Sequence, residues 1–400
     1  MTEKENTSTN TNRHATWLEL FYDLVFVVAI FQLAHNLEED ISLYGFIDFL
    51  ALFIPVWWAW IGATFYATRF DTDDLGDRFL TLLQMAGAAA LAANVPEALG
   101  ENSYYFALSY AAIRIILVAE YIRVGRRKDS PSAAAAPLIR KYTRGFLFGA
   151  IIWIISAFIP PPFRFVLWGI GLAIDFATPI AAGRLHSQFA PHISHLPERL
   201  GLFIIIVLGE SVLEVVAGVQ NREFDIYSML ILGLGLSIPF SLWWLYFDSV
   251  DGAPIRALRE KGKTGVYSLW LIGHFPLVVA ITSVGVGLGY ITSKANGLAL
   301  SYFEQWLVCG SVALSLGAQG VLHLSSAYYY LYTGATQDYR ASVRWATYRI
   351  ISAGMVLLIP ILRIPLSPFL LVCILAAICI AQIVVDLKQH PYHRRRRILK

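Results

Sequence analysis

Glu19 and Asp23 stand four residues apart in one apolar run, and Glu210 and Glu214 repeat that spacing in another. On a helix, residues four apart share a face. An ionisable side chain at bilayer depth costs about 2.5–3.5 kcal/mol even on a lenient insertion scale, so it normally turns toward the interior of a helix bundle. Further ionisable groups occupy apolar runs at Arg114, Asp175, His274, His323 and Arg349. Carboxylates and histidines so placed can line a polar path and pass a proton or hold a small cation. Glu19, Asp23, Asp175, Glu210, Glu214, His274 and His323 are the candidates for that path. Arg114 and Arg349 fit a different role, each pairing with an acid to lock helix to helix. For the two histidines, a hydrogen bond across helices is an equally good account.

Other chemistries lack their residues. The chain has no His-Glu-x-x-His helix, no phosphate-cradling Gly-Lys-Ser loop and no Gly-x-Ser-x-Gly elbow. No segment outside the apolar runs is large enough for a catalytic domain, so the expectation is a protein that is not an enzyme and has no cofactor. Cys309, Cys373 and Cys379 all lie within apolar runs, with no disulfide or metal spacing. His186, His192 and His195, with Arg184 and Arg199, lack the paired spacing of a structural zinc site, and the expectation there is a solvated linker. Gly285 and Gly289 form a small-residue pair suited to close helix contact. The Trp57-Trp58 and Trp243-Trp244 pairs and Tyr328–Tyr330 read as interfacial anchors and core filling.

The elements that position these groups follow from composition. Hydrophobic residues make up 57% of the chain and charged residues 15%, where a soluble domain carries about a quarter charged. A net charge of +3 gives no argument for nucleic acid. Runs long enough to cross a bilayer, about 20 residues each, fall near 16–36, 45–67, 78–97, 103–124, 144–161, 163–183, 200–220, 227–248, 267–291, 303–327, 344–362 and 367–387. The expected fold is an all-α integral membrane protein of about twelve transmembrane helices. The cuts at Pro160–Pro162 and around Pro365 are the narrowest. Residues 1–14 are polar and the first run is too long for a signal core, so it is expected to remain as the first span.

Charge placement orients the chain. With the N-terminus inside, four of the 31 Lys and Arg residues fall outside (Arg164, Arg222, Lys294, Arg363) and two within spans (Arg114, Arg349). The rest collect in inside segments such as Arg123–Lys128, Arg140–Arg144 and Arg256–Lys263, as cytoplasmic loops require. Both termini are thus expected in the cytoplasm, with the Arg394–Arg397 tail against anionic lipid. The loop 125–143, with its Ser132–Pro137 alanine run, is expected to be flexible.

The halves also resemble each other. Phe21-Tyr-Asp23-Leu-Val25-Phe aligns with Leu208-Gly-Glu210-Ser-Val212-Leu, Pro55 before Trp57-Trp58 with Pro239 before Trp243-Trp244, Tyr105-Phe106 with Tyr302-Phe303, and Ile159-Pro160 with Ile359-Pro360. The expectation is a parallel repeat of two six-helix units, 15–185 and 199–388. A linker at 186–198 joins them, with a tail at 1–14 and a basic tail at 389–400.

Leu18-Glu-Leu-Phe-Tyr-Asp-Leu-Val-Phe-Val27, Glu198-Arg-Leu-Gly-Leu-Phe, Leu208-Gly-Glu-Ser211 and His274-x-Pro276-Leu together resemble the bacterial low temperature requirement A (LtrA) family over nearly the whole chain. That resemblance implies a polytopic membrane protein linked to growth in the cold and assigns no activity. Phe21–Ile30 is also similar to the first helix of the lysosomal and bacterial potassium channels that carry Phe-Ser-Asp there, with Tyr22 in place of Ser. By that comparison Asp23 and Glu210 would be equivalent, and Val27 and Ile30 would face a pore. The functional expectation is a channel or proton-linked transporter for a small cation or solute. The alternative is a non-transporting protein that supports the envelope in the cold by binding lipid or a partner. The partners expected are the bilayer and a small cation or proton, with no nucleic acid and with homo-oligomerisation left open.

Overall fold

The structure is a computed structural model that describes residues 15–70, 74–127, 134–183, 185, 188–220, 226–248, 252–294 and 300–389. The tail at 1–14, Arg184, His186, Arg222 and the Arg394–Arg397 cluster lie outside them. The described residues form thirteen helices and no strand. They are α1 (Trp17–Glu39), α2 (Leu43–Arg69), α3 (Leu75–Ala93), α4 (Ser103–Gly125), α5 (Ala136–Ala157), α6 (Phe163–Ala182), α7 (His195–Gln220), α8 (Ile226–Phe247), α9 (Ala253–Lys261), α10 (Thr264–Ser293), α11 (Tyr302–Thr333), α12 (Thr336–Ile361) and α13 (Pro368–Gln389).

A helix stands at each of the twelve expected runs, and the short α9 is additional. The two narrow cuts are real breaks, since α5 stops at Ala157 before Pro160–Pro162 and α12 stops at Ile361 before Pro365. Nine of the helices are long and apolar enough to span a bilayer by themselves, and α3, α5 and α12 are outside that set. Large apolar side chains such as Leu213, Ile272 and Ile180 are exposed on the spans. Such surface suits lipid, where it needs no cover from water.

The expected flexible loop at 125–143 is shorter than its composition suggested, because α5 already begins at Ala136. Pro137 sits in its first turn, where a missing N–H costs nothing. The linker expectation also needs correction. His195 and Arg199 are not solvated: they open α7 as buried side chains, at 0% and 2% exposure.

The chain divides into two compact units. The first holds residues 1–33, 51–203 and 258–262. Within it α3 packs on α4, α4 on α5 and α5 on α6. A buried cluster within it includes the aromatic residues Tyr66, Phe70, Tyr121, Tyr142 and Phe146, with Tyr121 edge-on to Tyr66 and Tyr142. The second unit holds residues 34–50, 204–257 and 263–400. There α11 packs on both α10 and α12, and α8 packs on α13 and α10. Gly285 explains one close approach. A Cβ added to it would come within 2.8 Å of the Ser211 backbone, and Ser211 Oγ donates across to the Ile281 carbonyl at 2.8 Å.

Candidate functional site

The first turn of α1 is fixed by reciprocal bonds, the Thr16 N–H donating to Glu19 at 2.7 Å while Thr16 Oγ1 accepts from the Glu19 N–H. That turn puts Glu19, Tyr22 and Asp23 on one face. The start of α7 meets this face with the helically spaced pair His195 and Arg199. Arg199 donates from Nε to Asp23 Oδ2 at 3.0 Å and from Nη2 to Oδ1, and it lies 3.4 Å from Glu19. His195 Nε2 sits 3.2 Å from the other Glu19 oxygen. Trp60 of α2 donates its indole N–H to Asp23 at 2.8 Å and stacks on Phe203 with ring centroids 4.0 Å apart. Asp23 is fully buried, and a buried carboxylate is tolerated only where its lone pairs are answered this completely.

Tyr22 carries the network onward. Its hydroxyl donates to Gln84 Oε1 at 2.8 Å, and Gln84 Nε2 donates to Glu120 Oε2 at 2.6 Å. Glu120 is 3% exposed, and no lysine or arginine pairs with it among the described residues. A cavity of about 80 Å³ opens between these groups, lined by Glu19, Tyr22, Asp77, Gln84, Glu120 and Arg199 among others. A buried water needs about 10–15 Å³ of such space and several polar partners, so the cavity has room and ligands for a short water cluster. Beside it, Asp74 and Asp77 pair with Arg123 and Arg127. Asp74 precedes α3 and its carboxyl is lowered to about 2, chiefly by the Asp77 backbone N–H, with Arg123 also favouring the anion.

The other expected residues fall into three kinds of surroundings. Asp175 accepts from Arg114 at 2.8 Å and from the Tyr110 hydroxyl at 2.8 Å, all three fully buried in the first unit. Arg349 pairs with Asp386 and donates to Gln382 at 2.7 Å, tying α12 to α13 in the second unit. Glu210 is buried, and its Oε1 has no hydrogen-bond partner among the described residues. Glu214 follows one turn on along α7. His274 has both ring nitrogens engaged, Nε2 with the Tyr246 hydroxyl at 3.1 Å and Nδ1 with the Trp270 carbonyl at 2.7 Å. His323 is buried against Trp345. Val27 and Ile30 are buried too. No group of three or more metal-ligating side chains occurs among the described residues.

Sequence reasoning missed Glu120, Gln84, Arg199 and His195. Glu120 was readable as an acid within the fourth run. The other three were not, since a glutamine in an alanine-rich run and basic residues beside a linker look ordinary until α1, α3 and α7 meet.

The bundle of long apolar helices around buried ion pairs defines a polytopic helical membrane protein. The family model described as bacterial low temperature requirement A protein (LtrA) matches residues 14–385, and the chain belongs to that family. It is 26% identical over 332 residues to the uncharacterized protein RA0937 of Rhizobium meliloti (strain 1021), covering 81% of this chain and 80% of that protein. No solved structure matches the chain.

Proposed function

We propose that this protein is a proton- or small-cation-linked transporter of the bacterial cytoplasmic membrane, with Glu120 as the carboxyl that changes charge in the first unit. The observation that supports this most directly is a contrast between buried acids. Asp23, Asp175 and Asp386 each sit against an arginine. Glu120 has Gln84 for a neighbour, faces a cavity of water size and shares that cavity with Glu19 and Arg199. A carboxyl so placed can exchange a proton or a small cation with water in the cavity. Tyr22 and Gln84 link it to the Arg199–Asp23 pair, so a change of charge at Glu120 is felt at the junction of α1 and α7.

In the second unit Glu210 and Glu214 lie within a span and have no arginine partner among the described residues, and they take the corresponding role. This pairing departs from the expected duplication, which aligned Glu210 with Asp23, because Asp23 is the acid paired with Arg199. On this reading both termini face the cytoplasm, and no covalent step is involved.

Proteoliposomes made with wild type, Glu120→Gln, Glu210→Gln and Asp23→Asn test it under imposed proton and alkali-cation gradients. Glu120→Gln should abolish gradient-driven flux while the protein stays folded, and Glu210→Gln should reduce it at least tenfold. Undiminished flux in both glutamine variants, or no flux from wild type under any gradient, overturns the reading.

A further inference from the structure

The second unit carries a groove of about 730 Å³, within the range of small-molecule sites. Its lining is almost wholly apolar. Phe46 of α2, Tyr302, Trp306, Leu314 and Gly317 of α11 and Leu357 of α12 define its length. Along α11 the lining runs from Tyr302 to Gly317, about 22 Å at 1.5 Å per residue. One leaflet of hydrocarbon is about 15 Å deep, so the groove is long enough to hold an extended acyl chain from the headgroup level inward. Gly310 and Gly317 keep it open. A Cβ on Gly317 would meet nothing within 4 Å, and one on Gly310 would touch only Trp306, at 3.8 Å. These glycines therefore border empty space and are not required for helix contact.

The two ends of the groove differ. At the Tyr302 end Arg363 places its guanidinium 5.0 Å from the Tyr302 ring centroid. Arg363 is exposed, has no ion-pair partner among the described residues and adopts a left-handed backbone at φ 51°. That conformation disfavours a side chain. The neighbouring acid at the start of α11, Glu304, is answered by Lys294 at 3.2 Å. A cation thus stands at the aromatic mouth of an apolar slot, the layout of an acyl chain below an anionic headgroup.

We propose that this groove is a binding site for an anionic glycerophospholipid, with one acyl chain along α11 and the phosphate on Arg363. The site belongs to the second unit and shares no lining residue with the Glu120 cavity, so it holds whether or not the protein transports.

Native mass spectrometry of the full chain in detergent tests it, with phosphatidylglycerol and phosphatidylcholine of identical acyl chains as probes. Wild type should hold one phosphatidylglycerol at least tenfold more strongly than phosphatidylcholine. Arg363→Gln should bring the two to parity, and Gly310→Leu/Gly317→Leu should remove both. Leucine favours the helix over glycine and enters open space, so that variant should keep its wild-type circular dichroism. Equal retention of the two lipids by wild type, or equal lipid retention by wild type and the leucine variant, overturns the proposal. So does a dimer peak, with no lipid adduct, that the leucine pair abolishes, since a second copy would then be the occupant.

Discussion

Arg199 and Asp23 are a pair whose members are not equally replaceable. Arg199 reaches Glu19 as well as Asp23, so removing the Asp23 charge leaves the guanidinium a second carboxylate. Removing Arg199 leaves Asp23 fully buried with an indole N–H as its remaining partner. Breaking a buried pair so that one charge is stranded costs about 3–5 kcal/mol. Arg199→Met should therefore lower stability by about that amount, Asp23→Asn by clearly less, and the double variant should recover part of the Arg199→Met loss. Thermal unfolding in detergent, followed by circular dichroism, reads all three. A double variant no better than Arg199→Met would mean that the arginine acts through packing on Tyr22, whose ring lies 6.0 Å from it, and not through charge.

The contact between α7 and α10 depends on small residues at particular positions. A Cβ on Gly218 would fall 1.9 Å from Thr292 Oγ1 and 2.4 Å from the Gly289 carbonyl, and one on Gly289 would fall 2.8 Å from the Glu214 carbonyl. Two of these three obstacles are backbone, which cannot swing aside. Gly218→Ala should cost about 1–3 kcal/mol through overpacking. Gly354 on α12 has nothing within 4 Å of its Cβ direction, and Gly354→Ala should be neutral or gain up to about 1 kcal/mol. Melting temperatures that move the same way for both would sink this account. The Gly285 and Gly289 spacing foretold close packing in sequence, yet it could not name Ser211 and Glu214 as what they pack against. All twelve apolar runs were legible because hydropathy is a local property. The partners of Asp23, Asp175 and Arg349 were not, because Arg199, Arg114 and Asp386 reach them across 37 to 176 residues of chain. The buried start of α7 was obscured for the same reason, since His195 and Arg199 take their burial from α1.

At the scale of the whole molecule the number of crossings decides the topology by parity alone. Nine crossings would put the two ends of the chain on opposite faces of the membrane, and twelve put them on the same face. The three helices in question are 19, 22 and 26 residues long, or about 28, 33 and 39 Å at 1.5 Å per residue, against about 30 Å of hydrocarbon. Their charges gather at one end: Asp77 and Arg78 in α3, Arg140, Lys141 and Arg144 in α5, and Asp338, Arg340 and Arg344 in α12. Charges at a span's end can reach the interface by snorkelling, and the deeper Arg349 is paired with Asp386. A charged end lowers a helix's mean hydropathy without preventing it from crossing, so length and charge placement favour twelve. Single cysteines at Ser8, Asn102 and Tyr392, in a chain whose three native cysteines are replaced by alanine, read the outcome with a membrane-impermeant maleimide on intact cells. Twelve crossings with the N-terminus inside predict labelling at position 102 alone, with 8 and 392 labelled only after permeabilisation. Labelling of 392 but not 8 in intact cells would make the count odd, return α3, α5 and α12 to the surface in whole or in part, and remove the basis for a parallel six-plus-six repeat.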